Sequence, residues 1–188
     1  QRKGFGINAT FRYPKVRGFG NIAYALSRNC KGQILCDMDV TEIDTENKLI
    51  EFNGNKQVPF KSQIISTIPL TELLLLIKDT PPSLIEESKK LRTNSIFVVN
   101  LGIKKPNLSN KNWIYYLEKE FSFFRISFPY NEAKTVVPNK RTSISAEISY
   151  GNNNPLPCSK QEMPSRVIKD LIKAEVISQN DEIELIYS

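Results

Sequence analysis

The chain has 188 residues, 40% of them apolar and 24% charged, and it carries 26 Lys and Arg against 20 Asp and Glu, for a net charge of +6. This composition predicts a globular protein with one sizeable core or two small ones, and it excludes a disordered tail, a collagen-like repeat and a disulfide scaffold. No histidine is present, which excludes Ser-His-Asp and Cys-His catalysis and histidine metal sites. The positive charge suits an anionic ligand, a nucleic acid or an anionic membrane face, or it serves solubility alone.

The three cysteines bear on the redox compartment and on metal binding. In a chain of this length, Cys30, Cys36 and Cys158 indicate free thiols in a reducing compartment. Cys30 and Cys36 have no second pair to complete a zinc site, so we expect no metal. The sequence predicts neither a membrane-spanning helix nor a secretory leader, and we expect a cytoplasmic location.

The first part of the chain predicts one helix and a small antiparallel meander. Apolar residues at helical spacing, followed by Gly32 as a stop signal, predict a helix over 19–30. The stretches predicted as strands are 33–44, 48–52 and 56–60. Asn53-Gly54 predicts a two-residue hairpin turn. The apolar run 64–68 is typical of a short buried strand.

The rest of the chain predicts a second sheet, mostly antiparallel, with flanking helices. Its β-branched and aromatic segments are 95–103, 113–117, 121–128, 142–150 and 181–187. Helices are predicted over 70–78, 83–91 and 166–174. The predicted fold class is therefore α+β: a small antiparallel meander with a helix, then a mostly antiparallel sheet with flanking helices.

A glycine-rich motif precedes the first predicted helix. Gly18-Phe19-Gly20-Asn21-Ile22-Ala23 matches the G-x-G-x-x-A pattern that binds a dinucleotide pyrophosphate at a helix N-terminus. That fingerprint requires a buried strand directly before the first glycine. Here Pro14-Lys15-Val16-Arg17 precedes it, so we favour a plain loop-to-helix turn.

The segment 113–130 mixes aromatic and basic side chains. Such a mixture is typical either of a base-stacking surface for single-stranded nucleic acid or of the inner face of a sheet. Side-chain alternation predicts that two sets face opposite sides: Phe124, Ile126 and Phe128 against Phe123, Arg125 and Ser127.

Arg125 is a candidate phosphate clamp. A guanidinium matches phosphate oxygens bidentately, and Tyr115 lies on a neighbouring predicted strand. An ordinary exposed arginine is the alternative. Glu147 either partners this charge or faces solvent.

Several short motifs follow one another in an order found in a known enzyme family. They are Asn8-Ala9-Thr10-Phe11-Arg12-Tyr13-Pro14-Lys15 with Gly18-x-Gly20, then 40–44, 64–69, 98–103, Trp113-Ile114-Tyr115, Phe124-Arg125 and 145–149. This order resembles the UDP-galactopyranose mutases and their flavoprotein relatives in the amine-oxidase-like superfamily. The resemblance covers nearly the whole chain.

The resemblance implies that the chain is the central section of a larger FAD protein. Residues 1–69 would form part of the FAD-binding domain, with Gly18, Gly20 and the backbone of Val40 at the cofactor. Residues 70–188 would form the substrate-binding domain. FAD would be bound by the intact protein rather than by this section alone, which we expect to be inactive.

The resemblance also implies a substrate and its contacts. Tyr115 and Arg125 would hold the pyrophosphate of a nucleotide sugar, and Asn8 and Asn131 match asparagines of the family motif. The reduced flavin would carry the chemistry, so no side chain of this section is assigned as catalytic. The implied partner is thus a nucleotide-sugar substrate, with no nucleic acid.

Two positions depart from the family pattern. Arg17 stands where a second glycine is usual, and Glu132 stands where a tyrosine follows the later asparagine. The sequence therefore does not fix the sugar.

Three functions remain open from the sequence. The first is an FAD-dependent mutase-like isomerase acting on a nucleotide sugar in polysaccharide or lipopolysaccharide biosynthesis. The second is a flavin amine oxidase or a protoporphyrinogen-oxidase-like oxidoreductase. The third is a basic nucleic-acid-binding module without chemistry.

Overall fold

The computed structural model describes residues 12–16 and 18–188. The chain divides into two compact units, one of Lys31–Thr93 and the other made of the segment that ends at Cys30 together with Asn94–Ser188. Each unit contains one antiparallel sheet, which confirms the α+β class. The assignment of 1–69 to the cofactor and 70–188 to the substrate stays a prediction.

Most of the helices and strands lie close to the predicted ones. In chain order they are α1 (Gly20–Asn29), β1 (Val40–Asp44), β2 (Leu49–Phe52), β3 (Lys56–Pro59), α2 (Leu70–Leu76), α3 (Pro82–Ser88), β4 (Ser95–Ile103), β5 (Trp113–Tyr115), β6 (Arg125–Ser127), α4 (Pro129–Glu132), β7 (Thr142–Tyr150), α5 (Met163–Lys173) and β8 (Ile183–Tyr187).

The smaller unit contains the predicted meander, with strand order β1-β2-β3. The hairpin turn between β2 and β3 lies at the predicted place, but it has three residues rather than two because Phe52 pairs with Lys56. Gly54 and Asn55 both adopt positive φ, at 73° and 60°, which is the left-handed conformation that glycine and asparagine tolerate best.

Two stretches of this unit that were predicted as strand are not strands. β1 begins only at Val40, so 33–39 is irregular. The run 64–68 is also irregular, and Ile65 is 92% exposed. A strand needs a neighbour for its backbone groups, and no strand of the described chain pairs with 64–68. Instead, the Ser66 hydroxyl accepts a local hydrogen bond from the Ile68 N–H at 3.2 Å.

The larger unit contains a five-stranded antiparallel sheet of order β5-β6-β7-β4-β8. β4 and β7 form its centre and pair over nine residues, from Ser95 opposite Tyr150 to Ile103 opposite Thr142. Both strands have the predicted bounds. Alternate residues of these strands pack beneath α5, in a core that comprises Val99, Leu101, Ile103, Ile144, Ala146, Ile148, Met163, Val167 and Leu171. The opposite face of the sheet remains partly exposed.

The predicted alternation fails just before β6. Phe123 is 2% exposed and packs in the core, so it lies on the opposite face from Arg125. The ring of Phe123 stacks on Phe121 at 5.7 Å and meets the edge of Tyr116 at 5.0 Å. Phe124 lies instead against the Arg125 guanidinium, 5.9 Å from the ring centroid. The period of two holds only inside a paired strand, and β6 begins at Arg125.

Across residues 12–16 and 18–188, no helix is long and apolar enough to cross a membrane. None of the three cysteines forms a disulfide.

Candidate functional site

The exposed face of the five-stranded sheet carries its side chains in rows that cross the strands. In one row Tyr115 lies opposite Arg125, and Arg125 lies opposite Glu147. Residues directly opposite each other in an antiparallel pair point to the same face. The next row comprises Trp113, Ser127, Ser145, Asn100 and Tyr187. The two predicted ligand residues, Tyr115 and Arg125, are therefore brought together.

Arg125 is held by two neighbours. Its Nε and Nη2 donate to the two carboxylate oxygens of Glu147, at 2.9 and 2.5 Å, and its Nη1 donates to the Tyr115 hydroxyl at 3.2 Å. The Arg125 side chain is 35% exposed and that of Glu147 is 16% exposed. The hydrogen bonds with Glu147 raise the pKa of Arg125 further above its ordinary value. The guanidinium is thus charged and fixed in orientation.

The arrangement leaves binding capacity on Arg125. A guanidinium has five N–H donors, and Glu147 and Tyr115 account for one on each nitrogen. One N–H on each Nη has no acceptor among the described residues. These two donors, at a partly exposed position, can bind an anion such as a phosphate.

Glu132 contributes a second carboxyl to the surroundings of Arg125. Partial burial raises the pKa of Glu132, while the positive charge of Arg125 acts in the opposite direction. The site therefore contains one arginine and two acidic side chains, Glu132 and Glu147. The tyrosine that the family pattern leads one to expect at position 132 would add no such charge.

The two predicted asparagines are not placed beside Arg125 by any described contact. Asn131 donates both N–H groups of its amide to backbone oxygens, to Ser109 at 2.9 Å and to Lys111 at 2.6 Å. Asn131 therefore stabilises the conformation of the loop that precedes β5. Asn8 lies outside the described residues, as does Arg17.

The glycine motif forms a loop-to-helix turn, as favoured from the sequence. Residues 12–16 contain no strand, and α1 begins at Gly20. Gly18 has a φ of +64°, which residues other than glycine adopt only with strain. A Cβ built on Gly20 meets no atom within 4 Å. The backbone at Gly20 is thus open to close approach, which fits a cofactor contact.

The backbone of Val40 also fits the predicted contact with the cofactor. The Asn53 N–H donates to the Asp39 carbonyl at 2.9 Å, and Val40 pairs with Phe52. In an antiparallel ladder this pattern makes Val40 and Phe52 a non-hydrogen-bonded pair. The N–H and C=O of Val40 therefore point away from β2, to the edge of β1 where Ile43 accepts a hydrogen bond from the Lys78 N–H at 2.9 Å. At Val40 this edge is available to pair with an adenine ring.

Three serines of β7 share this face with Glu147, although no sequence motif predicted them to be there. Ser143, Ser145 and Ser149 occupy alternate positions with Glu147 on the partly exposed face. Their period of two, interrupted by apolar residues, was the available signal. No cluster of three or more potential metal ligands occurs in the part of the chain that the structure describes.

Comparisons with known proteins show which solved structures share this fold. No family model matches the sequence, and no curated protein matches it either. Among solved structures, a crystal structure of reduced UDP-galactopyranose mutase superimposes with a TM-score of 0.86 at 25% identity, over 98% of this chain. The fold resembles that of UDP-galactopyranose mutase. The chain spans 40% of the length of that mutase chain.

Two further neighbours show the same fold at lower identity. A protoporphyrinogen-oxidase-like protein from Exiguobacterium gives a TM-score of 0.67 at 14% identity and covers 90% of this chain and 38% of its own. A putrescine oxidase variant gives 0.61 at 12%, with the same coverage of 90% and 38%. All three neighbours are members of the FAD amine-oxidase-like superfamily, so the resemblance seen in the sequence is confirmed. The similarity shows that this chain shares the fold of the corresponding part of these proteins.

Proposed function

We propose that the chain is a section of an FAD-dependent enzyme similar to UDP-galactopyranose mutase, which acts on a nucleotide sugar in polysaccharide or lipopolysaccharide biosynthesis. The observation that supports this proposal is the state of Arg125. Glu147 fixes the guanidinium, Tyr115 lies beside it, and one N–H on each Nη is left for an anion. A diphosphate presents acceptors of the kind that these donors bind.

The residues of this chain would bind and orient rather than react. FAD, when bound, would supply the electron-transfer or nucleophilic chemistry. The free backbone edge at Val40 is suited to the adenine, and the open backbone at Gly20 is suited to another part of the cofactor. Arg125 and Tyr115 would hold the diphosphate and so fix the sugar in position.

The test is a calorimetric titration of the full-length, FAD-loaded protein with UDP. Arg125→Lys keeps the charge but loses the planar donor geometry, so we expect UDP affinity to fall about tenfold or more. Arg141→Lys is the matched control, because it makes the same charge-conserving change at a guanidinium that binds Glu184 through two nitrogens and has no contact with Tyr115 or Glu147. An Arg125→Lys protein that binds UDP as tightly as the wild type contradicts the proposal.

A second candidate is an FAD oxidoreductase of the amine-oxidase type. The two carboxyls of Glu147 and Glu132 offset the charge of Arg125, and such a balance favours an uncharged or cationic substrate over a diphosphate. Thermal unfolding of the full-length protein distinguishes the two candidates. Stabilisation by UDP supports the mutase-like function, whereas stabilisation by putrescine, with hydrogen peroxide release, supports the oxidase.

A further inference from the structure

Glu132, at the end of α4, is a half-buried acid without a partner in the described part of the chain. Its carboxyl forms no hydrogen bond and no ion pair with residues 12–16 or 18–188. The closest lysine in sequence, Lys134, lies over the Tyr130 ring at 4.8 Å and donates to the Asn131 amide oxygen at 3.4 Å. Partly buried charged groups are ordinarily paired or hydrogen-bonded, so an unpaired carboxylate beside a candidate site indicates a contact with a ligand.

The position of Glu132 is fixed by the residues on either side of it. Tyr130 is buried in the core, where its hydroxyl donates to the Ser109 carbonyl at 2.5 Å. The Asn131 amide donates to the same carbonyl at 2.9 Å, and Ala133 is buried. Because its neighbours are anchored, Glu132 is presented to a ligand by a fixed turn rather than by a mobile loop.

Glu132 also carries the excess charge of the Arg125 site. The guanidinium of Arg125 is already balanced by Glu147, which accepts from both Nε and Nη2. Glu132 lies within electrostatic reach of the same guanidinium, so one arginine and two carboxylates give these three side chains a net negative charge. A diphosphate adds more negative charge, whereas a ligand with a positive group beside its diphosphate restores the balance.

We propose that Glu132 is a specificity-determining residue, which selects a nucleotide sugar with a free amino group on sugar carbon 2. The inference rests on the proposed function, because it takes the binding of the diphosphate at Arg125 as given. In a nucleotide sugar the diphosphate is bonded to carbon 1, so carbon 2 carries the hydroxyl or amino group that lies closest to it along the ring.

The two ends of such a ligand match the two groups of the site. A protonated amine would form an ion pair with Glu132, while the diphosphate would bind the two remaining Nη donors of Arg125. A tyrosine at position 132, as in the family pattern, would carry no charge to attract the amine. The selection is therefore expected of this chain and not of a protein with that tyrosine.

The test compares three ligands of the full-length, FAD-loaded protein by calorimetric titration at about pH 6.5, where a sugar amine is protonated. UDP-galactosamine carries the amine, UDP-galactose has a hydroxyl in its place, and UDP-N-acetylgalactosamine has a neutral amide. We expect UDP-galactosamine to bind about five- to tenfold more tightly than either of the others, because it alone brings a cation to Glu132.

Three variants assign the preference to this carboxylate. Glu132→Gln keeps the size of the side chain but removes its charge, and we expect the preference for UDP-galactosamine to disappear while UDP-galactose binds at least as tightly as before. Glu132→Asp keeps the charge on a shorter side chain, and we expect part of the preference to remain. Glu175→Gln is the matched control, because it removes one negative charge from an exposed position of the same unit, and we expect it to leave the preference unchanged.

The failure of this inference and the failure of the proposed function give different results. A wild-type protein that binds none of the three ligands overturns both. A wild-type protein that binds UDP-galactose and UDP-galactosamine equally well overturns only the role of Glu132, and so does a Glu132→Gln protein that retains the preference.

Discussion

Glu147 lies directly opposite Arg125 in the antiparallel ladder of β6 and β7, and its carboxylate takes one N–H from Nε and one from Nη2 of the guanidinium. Because both residues project from paired strands, the ion pair is fixed by the sheet itself rather than by a mobile loop. The carboxylate sets the plane of the guanidinium before any ligand arrives. A ligand anion then meets donors that are already oriented.

We expect Glu147→Gln to destabilise the protein by about 1–2 kcal/mol, because it removes the carboxylate that is hydrogen-bonded to the partly buried charge of Arg125. Urea denaturation followed by the fluorescence of Trp113, which lies on the adjacent β5, measures the change. Glu182→Gln removes an exposed partner of Lys104, and we expect it to cost no more than about 0.5 kcal/mol. Equal effects of the two substitutions would show that the Arg125–Glu147 pair contributes no more to the free energy of unfolding than an exposed ion pair does.

We expect Glu132→Gln to tighten UDP binding by about two- to fivefold, because it removes a negative charge from the surroundings of Arg125. The sign of its effect on stability follows from the pKa. Burial raises the pKa of Glu132 above the ordinary 4.5, so the ionised carboxyl opposes folding as the pH rises through that range. Glu132→Gln should therefore be at least as stable as the wild type at pH 7. The gain in its free energy of unfolding over the wild type should be smaller at pH 4, where the wild-type carboxyl is largely protonated. Weaker UDP binding by this variant would assign Glu132 a direct contact with the ligand.

We expect Phe123→Ala to destabilise the larger unit by about 3–5 kcal/mol, because it opens a cavity beside Phe121 and Tyr116. Leu117→Ala is the control, since Leu117 is 92% exposed on the same hairpin, and its effect should stay within about 0.5 kcal/mol. Both are measured by urea denaturation. A small effect of Phe123→Ala would mean that this aromatic cluster does not belong to the cooperative core.

We expect the smaller unit to lose stability as the pH falls below about 4, in part through Asp44. The backbone N–H and side chain of Asn47, together with Lys78, hold the pKa of Asp44 well below its ordinary 3.8. The unfolded chain therefore takes up this proton at a higher pH than the folded chain does, and stability is lost as the pH falls from there.

Asp44→Asn should weaken this acid dependence, whereas Glu46→Gln, at an exposed position of the same turn, should not. Hydrogen exchange of peptides from β1 and β2 gives the measurement, with samples held at each pH and pulse-labelled at a common pH. This readout is needed because Trp113 reports on the other unit. An unchanged pH dependence in Asp44→Asn would assign the acid sensitivity to other carboxyls.

The sequence was most informative where one periodic pattern persisted. Burial alternates from 142 to 149 in β7 and from 99 to 103 in β4, and the bounds of both strands were predicted correctly. A strand buried on one face cannot shift by one residue without exposing its apolar set. The prediction of a strand over 64–68 was wrong because it rested on local composition alone. Its residues favour extended backbone, but a strand also depends on a partner, which local composition does not reveal.

The candidate site was predictable only in part. Tyr115 and Arg125 were brought together as expected, because the hairpin of β5 and β6 fixes their register. The bidentate role of Glu147 depended on the pairing of β6 with β7, which are separated by a long stretch of chain, so the sequence left it open.

The alternation along β7 has an evolutionary consequence. The side chains at positions 142, 144, 146 and 148 are buried, whereas those at 143, 145, 147 and 149 are only partly so. One strand thus has one set of side chains that forms the core and a second set that lies on the face of the proposed ligand site. Substitutions confined to the second set can retune what this surface selects while the hydrophobic interior stays as it is, which makes these four positions the natural targets for a library of altered specificity.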